Sequence, residues 1–429
     1  MGPEEKDVAS RSDICWLVLF CGARVAFSFI FTSYSAALPL LTRDWSMTAS
    51  RAGLIQSAWH LGFLVSLFIV GLLNDRFGAK RTYLWSAVAA GASALVFSAC
   101  ASGFGSGALL YGLAGLCSGG SYTPGLTLIA ERFPPARRGQ AMGVYLAAGS
   151  LGYALSVVVS SQLFPIGGWR LAFLVTGSLP TLGLMISLWA LRHTPNLIYI
   201  APEGQKVWHA IPETLQNKPA LLSMLAYAFH CWELLGLWAW LPAYLVAAAQ
   251  TAAGPSAFKG VAAETAVLLA GLTYLTSMLG SLIGGTLSDR WGRSLSILFF
   301  SCISLVFSFT FGWMIGWPLL VLFVAAACYN LASIADSSIY STALTELVEP
   351  RHLGATYAVR SVLGFGAGAI SPWVFGLVID MVRGVPSSSE RLVWGLAWMS
   401  LGLGALPGPL MSLWLWRRPE ATRMAQGLR

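Results

Sequence analysis

The sequence has few charged residues: only 10% of its 429 residues are Asp, Glu, Lys or Arg. Soluble domains carry about 25%, and a soluble chain of this length would expose too much uncharged surface to water. This scarcity excludes an ordinary soluble enzyme, a disordered chain and a nucleic-acid-binding protein. The hydrophobic fraction is 56% and the mean hydropathy is +0.68, which indicates an integral membrane protein.

Short motifs of several chemistries are also missing. The sequence has no GxxxxGK[ST] loop for ATP, no HExxH metal motif and no GxSxG nucleophile motif. We therefore expect neither an ATP-driven pump nor an intramembrane hydrolase, and no catalytic residue or cofactor. The seven Cys form no CxxC pair and most lie in apolar stretches, so we expect buried, unreactive thiols rather than disulfides or a metal site.

Long apolar segments dominate what is present. A membrane-crossing helix needs about 20 mostly apolar residues. We predict twelve such spans, near 14–40, 49–72, 82–103, 105–130, 140–164, 169–192, 220–249, 263–287, 295–314, 317–346, 353–379 and 392–416. The first span is too long for a signal-peptide core and has no small-residue cleavage site after it, so we expect it to be retained.

The distribution of positive charge predicts the orientation of these spans. Twelve spans place both termini on one side. If that side is the cytoplasm, 18 of the 26 Lys and Arg fall in cytoplasmic segments, six fall in outer loops, and Arg24 and Arg360 lie within spans. Cytoplasmic loops accumulate Lys and Arg, so we predict cytoplasmic termini and a multi-pass protein of the cell inner membrane. The net charge of +8 then needs no nucleic-acid partner.

The chain divides into two halves of six spans. We predict a cytoplasmic tail over 1–13, a first bundle over 14–192, a polar, proline-containing linker over 193–219, a second bundle over 220–416 and a second tail over 417–429.

Two blocks of sequence recur in the two halves, each at a constant displacement along the chain. In the first block, Gly71, Asp75, Arg76 and Gly78 correspond to Gly285, Asp289, Arg290 and Gly292. In the second block, Glu131, Pro135 and Gly139 correspond to Glu346, Pro350 and Gly354 at a slightly longer displacement. The blocks follow the second and the fourth span of each half, so we interpret the halves as internal repeats.

With these repeated motifs, essentially the whole chain resembles the major facilitator superfamily (MFS) of secondary transporters. The segment 71–81 is similar to the family's hallmark cytoplasmic motif, and 285–293 is similar to its weaker second copy. The resemblance implies an all-α membrane protein with twelve transmembrane helices in two pseudo-symmetric six-helix bundles. It also implies a central cavity that opens alternately to each side, a monomer, and no enzymatic activity.

The charged loops predict a gate on the cytoplasmic side. Gly71 and Gly78 would let one helix end and the next begin within a few residues. Asp75 would accept hydrogen bonds from a helix N-terminus or pair with Arg, and such contacts between the halves would hold this side closed. The predicted gate residues are Gly71, Asp75, Arg76, Gly78, Glu131, Arg132, Arg138, Asp289 and Arg290. The alternative is that these charges only fix the orientation.

Ionisable residues inside the spans are the candidates for substrate chemistry, because they are costly in a membrane. Arg24 lies about 15 Å into the first span at 1.5 Å per residue, on a polar stripe with Ser28 and Ser35. We predict that Arg24 is a substrate ligand or a coupling residue. The alternative is a fixed pair with a structural carboxylate.

The seventh span carries a second polar face. Ser223, Tyr227, His230 and Glu233 follow at steps of four, three and three residues, which places them on one side of a helix. His230 and Glu233 can take up and release protons, so both are candidates for substrate binding and for proton coupling. The alternative is a fixed ion pair, with Arg24 as the partner of Glu233.

Asp336 and Arg360 lie at similar depths on the tenth and eleventh spans. One interpretation is a structural salt bridge between them, and the other is that both bind substrate and separate when an anion reaches Arg360. Tyr122 and Asn330 are weaker substrate-binding candidates, as are Gln56 and His60. Their alternative is a hydrogen bond that packs helices together.

These residues predict a secondary transporter that works by alternating access. The expected substrate is a small organic anion, a carboxylate, moved in symport with protons: Arg24 and Arg360 would attract the anion, while Glu233 and His230 would carry the proton. The expected partners are therefore the small molecule, protons and the lipid bilayer.

Two other functions remain open. A proton-coupled exporter of amphipathic or toxic compounds would use Glu233 and the cluster of Trp232, Trp238 and Trp240. Against it, the fifth span lacks the Gly-Pro pair usual in drug–proton antiporters of the superfamily, and Tyr111 stands where they usually carry Arg. The other alternative is a membrane sensor or assembly factor that transports nothing.

Overall fold

A computed structural model describes residues 11–198, 207–253, 261–349 and 352–428, and these ranges are almost entirely helical. The first half contains α1 (Arg11–Asp44), α2 (Ala49–Phe77), α3 (Ala79–Cys100), α4 (Phe104–Ser118), α5 (Thr123–Arg132) and α6 (Pro135–Ala190). The linker contains α7 (Val207–Gln216). The second half contains α8 (Lys218–Ala253), α9 (Val261–Trp291), α10 (Arg293–Thr310), α11 (Leu319–Ala335), α12 (Ser337–Leu347), α13 (Leu353–Arg383), α14 (Glu390–Ala405) and α15 (Pro407–Arg417). The predicted all-helical class is confirmed.

Ten helical segments in the described ranges are long and apolar enough to cross a membrane, against twelve predicted spans. The difference arises at two places. Helix α6 counts once although it covers the predicted fifth and sixth spans, which meet where Gly167 and Gly168 leave the helical conformation. The predicted fourth span is missing from the count because it is divided into α4 and α5. The described chain therefore accommodates twelve crossings.

Two spans that we expected to be continuous are interrupted within their length. A 3₁₀ turn over Gly119–Ser121, followed by Tyr122, separates α4 from α5. Asp336 separates α11 from α12. The displacement from Tyr122 to Asp336 equals that of the first repeated block, so the breaks occupy equivalent places in the two halves. Discontinuous helices expose backbone carbonyls to partners inside the bundle.

The linker, predicted from composition as a polar connection, begins with an anchored segment. The side-chain amide of Asn196 donates to the carbonyl of Phe77 at 2.8 Å, and its oxygen accepts from the backbone N–H of Arg81 at 3.1 Å. These bonds hold the start of the linker against the turn between α2 and α3. Residues 199–206 of the linker, 1–10 of the N-terminal tail, Pro350 of the second repeat and Arg429 lie outside the described residues.

The glycine that ends each copy of the first repeated block forms a tight turn between two helices. Gly78 has φ +84° between α2 and α3, and Gly292 has φ +93° between α9 and α10. Residues other than glycine rarely adopt these positive values. A Cβ on Gly78 would also approach the carbonyl oxygen of Leu197 to 2.5 Å. The expectation that Gly71 acts in the same way is wrong, because Gly71 lies inside α2 with open space beside it.

The expected burial of the cysteines is also wrong for most of them. Cys231 is buried, but Cys15, Cys100, Cys302 and Cys328 are exposed. Their helices turn these apolar thiols away from the protein interior, and a lipid environment would accept them as readily as a protein core.

The hydrophobic core is continuous across the two halves at one end of the bundle only. We call the end that carries the chain termini the terminal face and the other end the distal face. Near the distal face one cluster joins both halves, with Leu41 and Phe173 from the first and Tyr244 and Phe375 from the second. Near the terminal face, each described cluster draws on a single half. The halves are therefore packed together at the distal face.

Helix α2 and helix α13 form the tightest of these distal contacts. The carboxylate of Asp380 accepts hydrogen bonds from the backbone N–H groups of Ala49 at 2.9 Å and Ser50 at 2.8 Å. These are the first free donors of α2, where a negative charge also interacts favourably with the helix dipole. Nearby, Gly53 faces the backbone of Pro372 without room for a side chain. We call these contacts the distal latch.

Replacement of Gly53 by Val should open the distal latch. The added side chain overlaps the Pro372 backbone, and such overpacking costs about 1–3 kcal/mol, enough to shift a two-state equilibrium about tenfold. The measurement is the labelling rate of an Ala52→Cys reporter by a membrane-impermeant thiol reagent, in a background with the exposed cysteines replaced by Ser. Gly22→Val is the control, because nothing lies within 4 Å of that position. An unchanged labelling rate in Gly53→Val would contradict the latch.

Candidate functional site

Arg24 lies in the interior of the first half without a carboxylate partner among the described residues. Its side chain extends from α1 to the break between α4 and α5, where Nη1 donates to the carbonyl of Ser121 at 3.0 Å and to its hydroxyl at 2.6 Å. The rings of Tyr122 and Tyr145 lie 5.9 and 5.5 Å from the guanidinium carbon. Arg24 is 6% exposed, and its Nε has no hydrogen-bond partner. The described residues therefore do not support the alternative of a fixed pair with a carboxylate.

Arg360 has a matching environment in the second half. It lies on α13, is 5% exposed, and its Nη1 donates to the hydroxyl of Ser341 at 2.6 Å. The rings of Tyr227 and Tyr357 lie 4.4 and 4.9 Å from the guanidinium carbon. Its Nε is also buried without a partner. The predicted salt bridge between Arg360 and Asp336 is wrong, because Asp336 pairs with another residue.

That residue is His230. Its Nδ1 lies 2.9 Å from Oδ1 of Asp336, and both side chains are almost fully buried. The imidazole stacks on Tyr227, with ring centroids 5.6 Å apart, and lies at the same distance from Tyr340. Because Tyr227 contacts both the imidazole and Arg360, a change at the guanidinium can reach the His230–Asp336 pair through one side chain.

Glu233 lies in a separate polar site within the second half. One carboxylate oxygen accepts hydrogen bonds from Ser304 and Ser308, each at 2.6 Å, and from Tyr329 at 3.1 Å. The hydroxyls of Ser308 and Tyr329 also bond to each other. The suggested pair of Glu233 with Arg24 is therefore wrong: three hydroxyls from α10 and α11 surround this carboxylate, and no described Arg contacts it.

Tyr122 lies beside Arg24. It occupies the break before α5 in the first half, and its ring centroid lies 5.9 Å from the guanidinium carbon of Arg24. It is partly exposed.

The side chain of Asn330 forms hydrogen bonds that pack helices together in this structure. Its oxygen accepts from the indole of Trp238 at 2.9 Å, and its amide nitrogen donates to Thr273 at 3.0 Å and to the carbonyl of Ala326 at 3.2 Å. A full set of partners leaves little of the amide for a substrate. Asn330 nevertheless fixes the ring of Trp238, which lies at the junction of the halves.

That junction is closed on the distal side of the arginines. Phe31 of α1 packs against His60 of α2, with ring centroids 5.6 Å apart, and against Trp238 of α8, with centroids 5.9 Å apart. Gln56 lies 3.3 Å from His60 through their side-chain nitrogens. These side chains separate the arginines from the distal latch.

The tryptophans do not form one cavity wall. The indole N–H of Trp232 donates to the carbonyl of Ser400 at 3.4 Å, and that of Trp240 donates to the carbonyl of Pro372 at 2.9 Å. Both rings thus point toward α14 and α13, while Trp238 packs at the junction. The arrangement gives little support to a binding pocket built from this cluster.

The predicted gate residues lie at the terminal face, and the ion pairs described for them stay within one half. Arg132 pairs with Asp13 at 2.9 Å. Asp289 contacts Arg293 at 2.5 Å, and the same Arg293 contacts Glu346 at 3.0 Å. Asp75, Arg76 and Arg290 are exposed, while Glu131 and Arg138 are partly buried. In this conformation the halves are packed together at the other end, so a gate contact between them stays a prediction.

Several site residues were missed by the sequence analysis. Ser121 and Tyr145 contact Arg24, while Ser341 and Tyr357 contact Arg360. Serine and tyrosine are frequent in apolar spans, so none of them stood out individually. The second repeated block could have identified Tyr145, because the displacement of that block makes Tyr145 equivalent to Arg360.

Comparison with known proteins agrees with this architecture. A family model described as Major Facilitator Superfamily matches residues 20–372. The chain is 25% identical to the hexuronate transporter of Bacillus subtilis over 393 residues, covering 85% of this chain and 87% of the relative. It is 24% identical to a probable sulfoacetate transporter of Cupriavidus necator, covering 87% of each.

A solved structure supports the fold independently of close sequence similarity. The crystal structure of a bacterial homolog of the human lysosomal transporter Spinster, in an inward-facing and unoccupied conformation, superposes with a TM-score of 0.74. The match covers 95% of this chain and 98% of that one at 15% identity, which is evidence for the fold alone.

Proposed function

Because the chain belongs to the Major Facilitator Superfamily and is a multi-pass membrane transporter rather than an enzyme, we propose that it moves a small organic anion, a carboxylate, in symport with protons. The observation that carries this proposal is the pair of buried arginines. Arg24 and Arg360 come from different halves, and neither is neutralised by a carboxylate within the described part of the chain. A buried cation without a partner costs several kcal/mol, and an anionic substrate would remove that cost.

The relatives support the same substrate class. Hexuronate and sulfoacetate, the compounds named for the two relatives, are both organic anions. The contacts of Arg24 with Tyr122 and of Phe63 with Phe365 further support a binding site between the halves, which the closed distal face separates from the other side of the membrane.

The proton is proposed to use the second half. His230 and Asp336 form a buried pair next to Tyr227 and Arg360, and Glu233 forms the other buried acid. The described side chains that contact the imidazole are Tyr227 on its own helix, Asp336 at the helix break and Tyr340 on α12. An anion at Arg360 changes the charge next to this pair, which provides a physical link between substrate and proton.

The proposed orientation rests on charge. The terminal face carries the excess of Lys and Arg counted in the sequence, so we assign it to the cytoplasm of the cell inner membrane. With the distal latch closed, the anion site would then be accessible from the cytoplasm. The protein is proposed to act as a monomer, since each chain contributes both arginines.

Flux measurement tests the proposal. Purified protein in liposomes, with an inwardly directed proton gradient, should accumulate at least one labelled anion from a panel of small carboxylates and sulfonates. Neutral sugars and amphipathic cations should not be taken up. Uptake of amphipathic cations in place of anions would favour the exporter, and an absence of all substrate-dependent flux and proton movement would favour the sensor.

A further inference from the structure

According to the internal repeat, each of the two arginines is equivalent to a tyrosine in the other half. The displacement that relates Gly139 to Gly354 in the second repeated block also relates Gly149 to Gly364 and Tyr145 to Arg360. Gly149 faces the guanidinium of Arg24, and Gly364 faces the ring of Tyr227. Arg24 and Tyr227 are therefore equivalent, as are Tyr145 and Arg360.

Each half thus contains one Arg–Tyr unit, with the two residue types exchanged between its helices. In the first half the arginine is on α1 and the tyrosine on α6, and the guanidinium carbon lies 5.5 Å from the ring centroid. In the second half the tyrosine is on α8 and the arginine on α13, at 4.4 Å. The two cationic units are therefore related by the pseudo-symmetry of the bundles.

The two units also have the same unused hydrogen-bonding capacity. Each guanidinium uses one Nη to donate to a serine hydroxyl at 2.6 Å, Ser121 for Arg24 and Ser341 for Arg360. The Nε of each is buried without a partner. Arginine presents its N–H groups in a planar fork that matches a carboxylate in two parallel bonds. Each half therefore holds a cation prepared for one anionic group.

Two buried arginines favour a substrate with two anionic groups over a substrate with one. A monoanion between the halves would neutralise one guanidinium and leave the other buried and unpaired, which is costly. Tyr122 at the helix break of the first half lies 5.9 Å from the guanidinium carbon of Arg24. Phe365, five residues after Arg360 on α13, packs against Phe63 of the first half with ring centroids 5.2 Å apart, so the helix that carries Arg360 meets the first half close to this arginine. A ligand with two anionic groups would satisfy both units and connect the halves.

We infer that the substrate is an organic dianion whose two acidic groups bind one to Arg24 and one to Arg360. The inference rests on the proposed transport of organic anions and names the class of anion. The tyrosine of each unit, Tyr145 or Tyr227, limits the position of its guanidinium, and Tyr122 lies beside the middle of the ligand.

The test compares dianions with monoanions of the same shape. The probes are dicarboxylates of two to six carbons, each paired with its monoamide, for example succinate with succinamate, at neutral pH. Binding to the purified wild-type protein is measured by calorimetry and by inhibition of anion uptake. The best dicarboxylate should bind at least about tenfold more tightly than its monoamide, a difference of about 1.4 kcal/mol, with one molecule per chain.

The variant Arg360→Gln should remove this preference. Its affinity for the dicarboxylate should fall to within about threefold of its affinity for the monoamide, while the monoamide affinity changes little, because Arg24 still binds one carboxylate. Arg383→Gln is the matched control: it lies on the same helix, is about half exposed and pairs with Glu390 at the distal end. It should retain the wild-type preference.

Three outcomes would overturn the inference. They are equal affinities for dicarboxylate and monoamide in the wild type, a preference that survives in Arg360→Gln, or a ratio of two bound molecules per chain. Transport of monoanions with no binding of any dicarboxylate would also overturn it while leaving the proposed anion transport intact. If no anion of either kind binds or moves, the proposed function itself fails.

Discussion

Arg24→Gln should abolish anion transport while leaving the protein folded. Truncating one partner of a buried, hydrogen-bonded charge pair costs about 2–5 kcal/mol, and a loss near 3 kcal/mol lowers affinity roughly 100-fold. Uptake of the anion identified by the flux assay should fall by at least that factor at low substrate concentration. Glutamine can still donate one hydrogen bond to Ser121, the anchor of the arginine at the break between α4 and α5.

Thermal unfolding separates a binding role from a structural role for Arg24. Without ligand, the melting temperature of Arg24→Gln should equal or exceed that of the wild type, because an unpaired buried charge has been removed. With ligand, the rise in melting temperature seen in the wild type should be lost, since that rise measures binding to the folded state. Arg43→Gln, on the same helix but largely exposed, should behave as the wild type. A ligand-induced rise that persists in Arg24→Gln would contradict the anion site.

Asp336→Asn should uncouple the protein from the proton gradient. The substitution keeps the size of the side chain and its position 2.9 Å from the imidazole of His230, but it removes the negative charge of the pair. Accumulation of the anion against its gradient should fall at least about tenfold, whereas exchange of internal for external anion should stay within about threefold. The second measurement needs no proton movement and also shows that the variant is folded.

Glu233→Gln is the comparison that decides between the two buried acids. In that variant three hydroxyls still surround the side chain, so we expect a modest loss of stability with coupled accumulation retained. If Glu233→Gln loses accumulation and keeps exchange while Asp336→Asn accumulates normally, the proton site is Glu233 and the His230–Asp336 pair is structural.

The variants Arg24→Gln and Asp336→Asn test two steps of one mechanism, substrate binding and proton coupling. Arg24 belongs to the half that contains no described acid next to its arginine, whereas Arg360 lies one tyrosine away from the His230–Asp336 pair. In this mechanism the substrate contacts Arg24 in the first half, which has no described acid beside it. In the second half it contacts Arg360, which is close to the His230–Asp336 pair. Weaker binding of an anion with two acidic groups should follow changes in either arginine, but loss of coupling should follow changes in the second half.

The sequence by itself determined the class of the protein and the inventory of its polar residues. Apolar segments of about 20 residues leave no choice but membrane helices, and the repeated motifs divided them into two halves. Arg24, Arg360, His230, Glu233 and Asp336 were identifiable because ionisable groups are rare and costly in such segments. Helical spacing also placed His230 and Glu233 on one face of the seventh span.

Only the tertiary structure decided which of these groups contact one another. Sequence spacing reports depth and helix face, but partners come from different helices, whose rotation and packing it does not contain. Equal depth suggested Asp336 for Arg360, yet Asp336 lies at a helix break that brings it to His230. Glu233 shares a helix face with His230, yet it contacts α10 and α11. Among the described residues Arg360 has no carboxylate partner, because packing within the second half occupies its buried acids, and both arginines are left available for a ligand.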